Sequence, residues 1–300
     1  MSFTQLRDAE SLSRALKMTP QSLRDRKRSG HPITALTAYD YPTARLTDQA
    51  GIDIILVGDS LGMVVLGYSD TLPVTMDEML HHARAVRRAV HRSLLVADMP
   101  YGSYHLSMEE AVRNAMRFVK EAGIEAVKIE GGKDRADLVA AITAAEIPVV
   151  GHIGLMPQSL HRTGGYKVQG RSTASAEALL QDALALQQAG AIAVVLEGIP
   201  REAAARITAN LNIPTIGIGA GPDCDGQILV FHDLFNLTFA PKAKFVRRFE
   251  DAAEVFRTGL ESYRDAVIAK TFPSDAESYH LVPEVQAELC KSLRVVGGKI

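Results

Sequence analysis

Four short runs of aliphatic and β-branched residues end on a carboxylate: IILVGD at Asp59, LLVAD at Asp98, AVKIE at Glu130 and AVVLE at Glu197. A strand covered on both faces is written as a near-continuous apolar run, so an acid at its last residue is out of place as packing and emerges at the carboxyl edge of the sheet. Carboxylates gathered at one edge repel one another and are costly to desolvate. A hard divalent cation relieves both costs, and an acid left outside its shell can accept a proton. Asp59, Asp98 and Glu130 are the candidate metal-associated acids, and Glu197 is the candidate base.

Other polar residues stand beside these acids. Lys128 precedes Glu130 by two residues, so both side chains leave the same face of their strand. Two charges aimed into an interior read as a functional pair; the alternative is an internal ion pair, which rarely stabilises a fold by itself. Ser60, in VGDSLGM, offers an amide and a hydroxyl to a substrate carboxylate, or is a turn serine. The residues after Asp59 do not read as a helix, which argues against Asp59 as a helix cap. Pro100 prevents the strand from continuing past Asp98. His152, in VVGHIG, ends a fifth run and can donate a hydrogen bond to a substrate oxygen, or be structural. Glu197 is not needed as a cap, because Pro200 as the first helical residue leaves Ile199 in that position. Asp40, before Tyr41 and Pro42, reads as the cap of the first helix after a strand. Asp223 and Asp225 lack the twelve-residue loop and closing Glu of an EF-hand.

The elements that must position these residues follow a strict alternation. Strands are expected at 33–38, 52–57, 94–98, 126–130, 148–152, 191–197, 214–218 and 228–231, with amphipathic helices between most of them. Alternating βα units imply parallel strands, and eight units in about 250 residues match a closed (β/α)₈ TIM barrel. An open doubly wound sheet would have a glycine-rich first turn, whereas AYDYPTA has none. The expected organisation is one barrel domain over 1–300, with an N-terminal extension over 1–18 and a C-terminal helix and tail over 252–300. The long connections at 60–75 and 153–175 are expected to form lids over the barrel mouth.

Composition narrows the class. Hydrophobic residues make up 47% and charged residues 23%, as in an ordinary soluble globular protein. A formal net charge of −2 supplies no basic excess for nucleic acid. The basic run RDRKR at 24–28 is expected to be the solvated face of a short helix, with Thr19 and Pro20 as its cap and first turn. Cys224 and Cys290 form neither a disulfide framework nor a zinc motif, which suits a reducing cytoplasm. No apolar run has the length of a membrane span, and the first twenty residues lack the apolar core of a signal peptide. A soluble cytoplasmic protein without membrane or nucleic-acid partners is expected.

The segments TAYDYP, VGDSLGM, ADMPYGSY, VKIEGG, GHIGLMPQS, VLEGIP and IPTIGIGAG, in this order, resemble the ketopantoate hydroxymethyltransferase family from about Thr19 to His280. The resemblance implies a barrel of the phosphoenolpyruvate/pyruvate superfamily that binds Mg²⁺. It implies transfer of a hydroxymethyl group from 5,10-methylenetetrahydrofolate to 3-methyl-2-oxobutanoate, giving 2-dehydropantoate in the first step of pantothenate biosynthesis. It also implies a homo-oligomer. On the matched positions, Asp59, Asp98 and Glu130 are the metal-associated acids and Glu197 the general base. Ser60 and Lys128 contact substrate, with Asp59, Asp98 and His152 as further substrate-binding candidates. The alternative is an Mg²⁺-dependent C–C lyase or mutase of the same superfamily acting on another small 2-oxo acid. Those enzymes are expected to carry a KKCG-type cysteine loop or phosphonate contacts, whereas the cysteines here lie in GPDCDG and AELCKS. A third possibility is a catalytically silent barrel whose acids are structural ion pairs.

Overall fold

A computed structural model describes residues 16–165 and 167–296, without the side chains at 162, 163 and 291–296. Most of the N-terminal extension expected over 1–18 therefore lies outside the described residues. Eight parallel strands close into a barrel in chain order: β1 Ile33–Thr37, β2 Ile54–Val57, β3 Leu94–Asp98, β4 Ala126–Glu130, β5 Val149–Gly154, β6 Ala193–Glu197, β7 Thr215–Ile218 and β8 Gly226–Leu229. Closure is made by β8 against β1, where Gly226 pairs with Ile33 and Leu229 with Leu36.

The strand residues alternate between two apolar layers. Ile55, Val57, Leu95, Val127, Ile129 and Leu196 face the surrounding helices. Ile54, Leu56, Val96, Ala126, Val150, Val195 and Ile216 fill the barrel interior. Continuing the inner series by two residues leads from Val96 to Asp98, from Ala126 to Lys128 and Glu130, from Val150 to His152, and from Val195 to Glu197. The period of two thus places an ionic layer directly above an apolar plug, at the carboxyl ends of the strands.

The helices start where the sequence supplies caps. Helix α1, Pro20–Ser29, is capped by Thr19, and α2, Tyr41–Gln49, by Asp40, whose carboxylate accepts from the Thr43 amide at 2.8 Å. Helix α3, Leu61–Val64, follows β2 directly. Then come α4 Met76–Arg87, α5 Met108–Ala122, α6 Ala136–Ala144, α7 Leu160–Thr163, α8 Thr173–Gln188, α9 Arg201–Asn210 and α10 Phe231–Leu234.

Three expectations are corrected. The segment after Asp59 does contain a helix, but α3 is a single turn, too short to show helical periodicity. Its cap position is Ser60, without a side-chain capping bond, so Asp59 still does not cap it. Strand β8 lies two residues earlier than expected, because Phe231 already begins α10 and its amide donates to Thr37 Oγ1 at 2.9 Å. Gly226 belongs to β8 because a Cβ there would lie 2.5 Å from the Ile33 carbonyl oxygen, a close approach that apolar patterning does not reveal. The RDRKR run is not simply solvated: Lys27 Nζ pairs with Asp225 at 2.7 Å and Arg26 with Asp53 at 3.0 Å. Leu23 of the same helix is buried in the inner core, so α1 closes the amino-terminal end of the barrel.

The chain divides into two compact units, the first running to Glu250 and the second from Asp251. The second contains α11 Ala252–Ile268 and α12 Pro283–Val296. Among the described residues no helix is long and apolar enough to cross a membrane.

Candidate active site

Strand register brings the chemistry together. Asp98 on β3 pairs with Lys128 on β4, Glu130 on β4 with His152 on β5, and Gly154 on β5 with Glu197 on β6. Partners in a parallel ladder project to the same side, so four neighbouring strands, β3 to β6, deliver their polar ends to one point. Lys128 Nζ lies 2.8 Å from Asp98 Oδ1 and 3.2 Å from His152 Nδ1. Its closest carboxylate is Asp98 on the next strand, not Glu130 on its own. His152 Nδ1 is 3.5 Å from Glu130 Oε1, and His152 Nε2 is 3.2 Å from Glu197 Oε2. The Asp59 amide donates to Asp98 Oδ2 at 3.0 Å, which joins the end of β2 to the cluster.

All seven candidate residues, Asp59, Ser60, Asp98, Lys128, Glu130, His152 and Glu197, line one cavity of about 750 Å³. Its walls are largely apolar, with Met63, Val64 and Tyr68 from the first long connection and Leu155 and Pro157 from the second. The expected lids are therefore walls of the mouth. Asp59, Asp98, Lys128, Glu130 and His152 are buried, whereas Glu197 is partly open, with 18% of its side chain exposed.

Burial shapes the protonation behaviour. The Asp59 carboxyl is pushed well above the usual range by loss of water and by the charges of Asp98 and Glu130, against the pull of Lys128 and Gln158. Burial also raises Asp98, although Lys128 and the Asp59 amide favour its anion. For Lys128, burial opposes the charge, but the surrounding acids outweigh it and hold the ammonium in place. Burial and Lys128 likewise oppose charge on His152; Glu130 and Glu197 prevail and push it up to about 9.

Three residues had no signal in the sequence. Gln158, on the 3₁₀ turn Pro157–Ser159, donates from Nε2 to Asp59 Oδ2 at 2.8 Å and to the Met99 carbonyl at 3.0 Å. Its amide donates to Glu130 Oε2 at 3.0 Å, and Tyr104 donates to its Oε1. The Tyr39 hydroxyl lies 2.7 Å from Ser60 Oγ. Only Pro157, which stops the strand ladder shortly after β5, hints that the segment turns back over the barrel.

The donor set suits a hard cation in kind: carboxylate oxygens, with charge in excess of what Lys128 compensates. Asp98 Oδ1 is buried and receives no directed hydrogen bond, although Lys128 lies beside it. Among the described residues no three His, Cys, Asp or Glu side chains converge as a ready-made shell. Mg²⁺ does not require one, since it is commonly held by one or two carboxylates together with water and substrate oxygens.

The fold and the strand-end cluster define a class. A solved 2,3-dimethylmalate lyase, described as a member of the PEP mutase/isocitrate lyase superfamily, covers 92% of this chain and 96% of its own, with a TM-score of 0.55 at 19% identity. A phosphonopyruvate hydrolase solved with oxalate and Mg²⁺ covers 94% and 99%, with a TM-score of 0.56 at 17% identity. At such identities the shared property is the fold alone, a (β/α)₈ barrel. Residues 17–275 match the family described as ketopantoate hydroxymethyltransferase. The 3-methyl-2-oxobutanoate hydroxymethyltransferase of Koribacter versatilis is 64% identical over 273 residues, 91% of this chain and 92% of its own. The enzyme of that name from Thermoanaerobacter sp. (strain X514) is 54% identical over 265 residues, 88% and 97%. The chain belongs to the ketopantoate hydroxymethyltransferase family.

Proposed function

We infer that this chain transfers a hydroxymethyl group from 5,10-methylenetetrahydrofolate to 3-methyl-2-oxobutanoate, giving 2-dehydropantoate and committing carbon to pantothenate. The observation that carries the inference is the convergence of Asp59, Asp98, Glu130, Lys128, His152 and Glu197 on one barrel-mouth cavity in a member of this family. Asp59, Asp98 and Glu130 are the acids that would associate with Mg²⁺, one or two of them directly and the rest through water. The ion would supply Lewis acidity at the keto group of a bound 2-oxo acid.

The chain's own residues carry the rest. Ser60 offers its hydroxyl to the substrate carboxylate, with Tyr39 orienting the hydroxyl. Lys128 offsets negative charge from the substrate and the acids. Glu197, the acid most open to the cavity, takes the proton from C3, and the C–H electron pair moves into the C2–C3 bond of the enolate. The His152 imidazole stands beside the Glu197 carboxylate, 3.2 Å from Oε2. The enolate carbon then forms a bond to the donor's methylene carbon and water supplies the hydroxyl oxygen, while both bonds from that carbon to the folate nitrogens break. One nitrogen takes up a proton from the water and the other the proton removed from C3. The apolar walls limit water around the enolate. The family resemblance also carries the expectation of a homo-oligomer, and the free Cys224 and Cys290 suit the cytoplasmic location expected from the sequence.

The test is conversion of 3-methyl-2-oxobutanoate by the purified protein with 5,10-methylenetetrahydrofolate and Mg²⁺, read by mass spectrometry with and without EDTA. Product that disappears with EDTA is the expected result. No product from folded, magnesium-supplied protein refutes the assignment.

A further inference from the structure

We propose that Gln158 is a positioning residue for this reaction, holding one oxygen of Asp59 and one oxygen of Glu130 so that the acids keep a fixed relative orientation around the bound oxo acid. The proposal rests on the function inferred above. Gln158 belongs to none of the strands that deliver the acids; it enters from the connection after β5, is buried, and bonds to the end of β2, the end of β4 and the backbone just after β3. Two carboxylates that repel each other across a buried site have no reason of their own to stay oriented. A neutral residue that donates to both, from its carboxamide to Asp59 and from its backbone amide to Glu130, fixes them without altering the charge.

The carboxamide can face only one way. The Met99 carbonyl is purely an acceptor, so the Gln158 atom 3.0 Å from it must be the NH₂ group. The same NH₂ group then supplies the proton aimed at Asp59 Oδ2, at 2.8 Å. On the other side, the buried Tyr104 hydroxyl donates to Oε1, the one orientation in which that contact is attractive. Tyr104 is thus the lock on the Gln158 side chain, and its ring is held in turn beneath the Arg135 guanidinium, 5.3 Å from the ring centroid.

The experiment compares Gln158→Met, Gln158→Glu, Tyr104→Phe and the Gln158→Met/Tyr104→Phe double variant with the parent protein. Three quantities are read: C3 hydrogen–deuterium exchange of 3-methyl-2-oxobutanoate without folate, Mg²⁺ affinity by calorimetry without substrate, and melting temperature. Losing a group that orients ligating acids typically lowers metal affinity or activity about 10–100-fold. That range is expected for Gln158→Met in both exchange and Mg²⁺ affinity, with about 10-fold for Tyr104→Phe. Because the two residues act in series, the double variant should be no worse than Gln158→Met alone. Gln158→Glu keeps the shape, the backbone amide and an acceptor for Tyr104, but not the NH₂ group, and should not restore exchange. A lowered melting temperature with parental exchange and Mg²⁺ affinity would make Gln158 purely structural and overturn the proposal. So would parental exchange in Gln158→Glu or, should Gln158→Met fail to fold, in Tyr104→Phe. Parent protein that makes product beside unaffected variants refutes the positioning role alone; parent protein that neither exchanges nor makes product refutes the inferred function and this role with it.

Discussion

Lys128 and Asp98 are register partners on adjacent strands, with Nζ 2.8 Å from Oδ1 and side chains only 7% and 5% exposed. The pair is the shortest ion pair in a cluster that also contains Asp59, Glu130 and His152. Lys128→Met therefore leaves buried acids facing one another. Breaking a buried pair from one side typically costs about 3–5 kcal/mol, much of it the penalty of the stranded partner. Denaturant titration of the metal-free protein should show a loss of that order, and adding Asp98→Asn should recover a large part of it. A double variant as unstable as the sum of the two singles would show that the pair carries no coupling.

Glu197 sits at the end of β6 with its carboxylate against His152 and its remaining surface open to the cavity. Glu197→Gln preserves shape and removes the proton acceptor. C3 exchange of 3-methyl-2-oxobutanoate should fall about 10²–10⁴-fold, the range expected for a lost general base. Binding of the oxo acid, followed by thermal shift, should survive. Exchange at the parental rate would take Glu197 out of this role.

The barrel and its acids were legible for one shared reason. Strands sheathed by helices on one side and plugged on the other are mostly apolar along their length, so Asp98, Glu130 and Glu197 at the strand ends and His152 toward the end of β5 stood out. The first residues of β8 were not legible, because Gly226 serves a backbone approach and Gln227 is exposed, so neither reads as an apolar strand residue. Lys27 with Asp225 was not legible either, since partners 198 residues apart leave no local pattern. Gln158 was hidden more thoroughly. A single glutamine in a long connection has no period and no charge, and its importance arises only once the fold places it between Asp59 and Glu130.

The amino-terminal face of the barrel predicts a pH effect separate from the site. Asp48 is buried at the end of α2, and its carboxylate accepts from the His91 amide at 3.0 Å, the Ser93 amide at 2.8 Å and the Ser93 hydroxyl at 2.7 Å. Burial alone would raise its pKa, but these bonds and that from the Arg92 amide outweigh it and hold the carboxyl below its ordinary value of 3.8. A depressed folded value means that the native state binds the proton less readily than the unfolded chain. The stabilisation is therefore fully present above about pH 4 and is lost as pH falls through the folded value. Asp48→Asn should cost about 2–3 kcal/mol at pH 7, the scale of hydrogen bonds to a charged group. The gap between parent and variant should narrow below pH 4 while kcat at pH 7 stays unchanged. A gap independent of pH would assign the cost to packing.

Gly154 ends β5 at φ +98°, and a Cβ there would lie 2.2 Å from the carbonyl oxygen of Glu197. That oxygen also accepts from the Leu155 amide at 2.8 Å, so the backbone of β5 is pressed against the residue that carries the base. Gly154→Ala imposes two penalties: the conformational strain of a side chain at positive φ, of order 1–3 kcal/mol, and a displacement of the Glu197 backbone. Gly51 isolates the first, since it lies at φ +81° with nothing within 4 Å of a Cβ. Gly51→Ala should lower stability and leave C3 exchange untouched. Gly154→Ala should lower both, with exchange down at least about 10-fold, because a displacement near 1 Å of a catalytic group costs up to about 10²-fold. Equal exchange rates in the two variants would show that the Glu197 carboxylate keeps its place when its backbone moves.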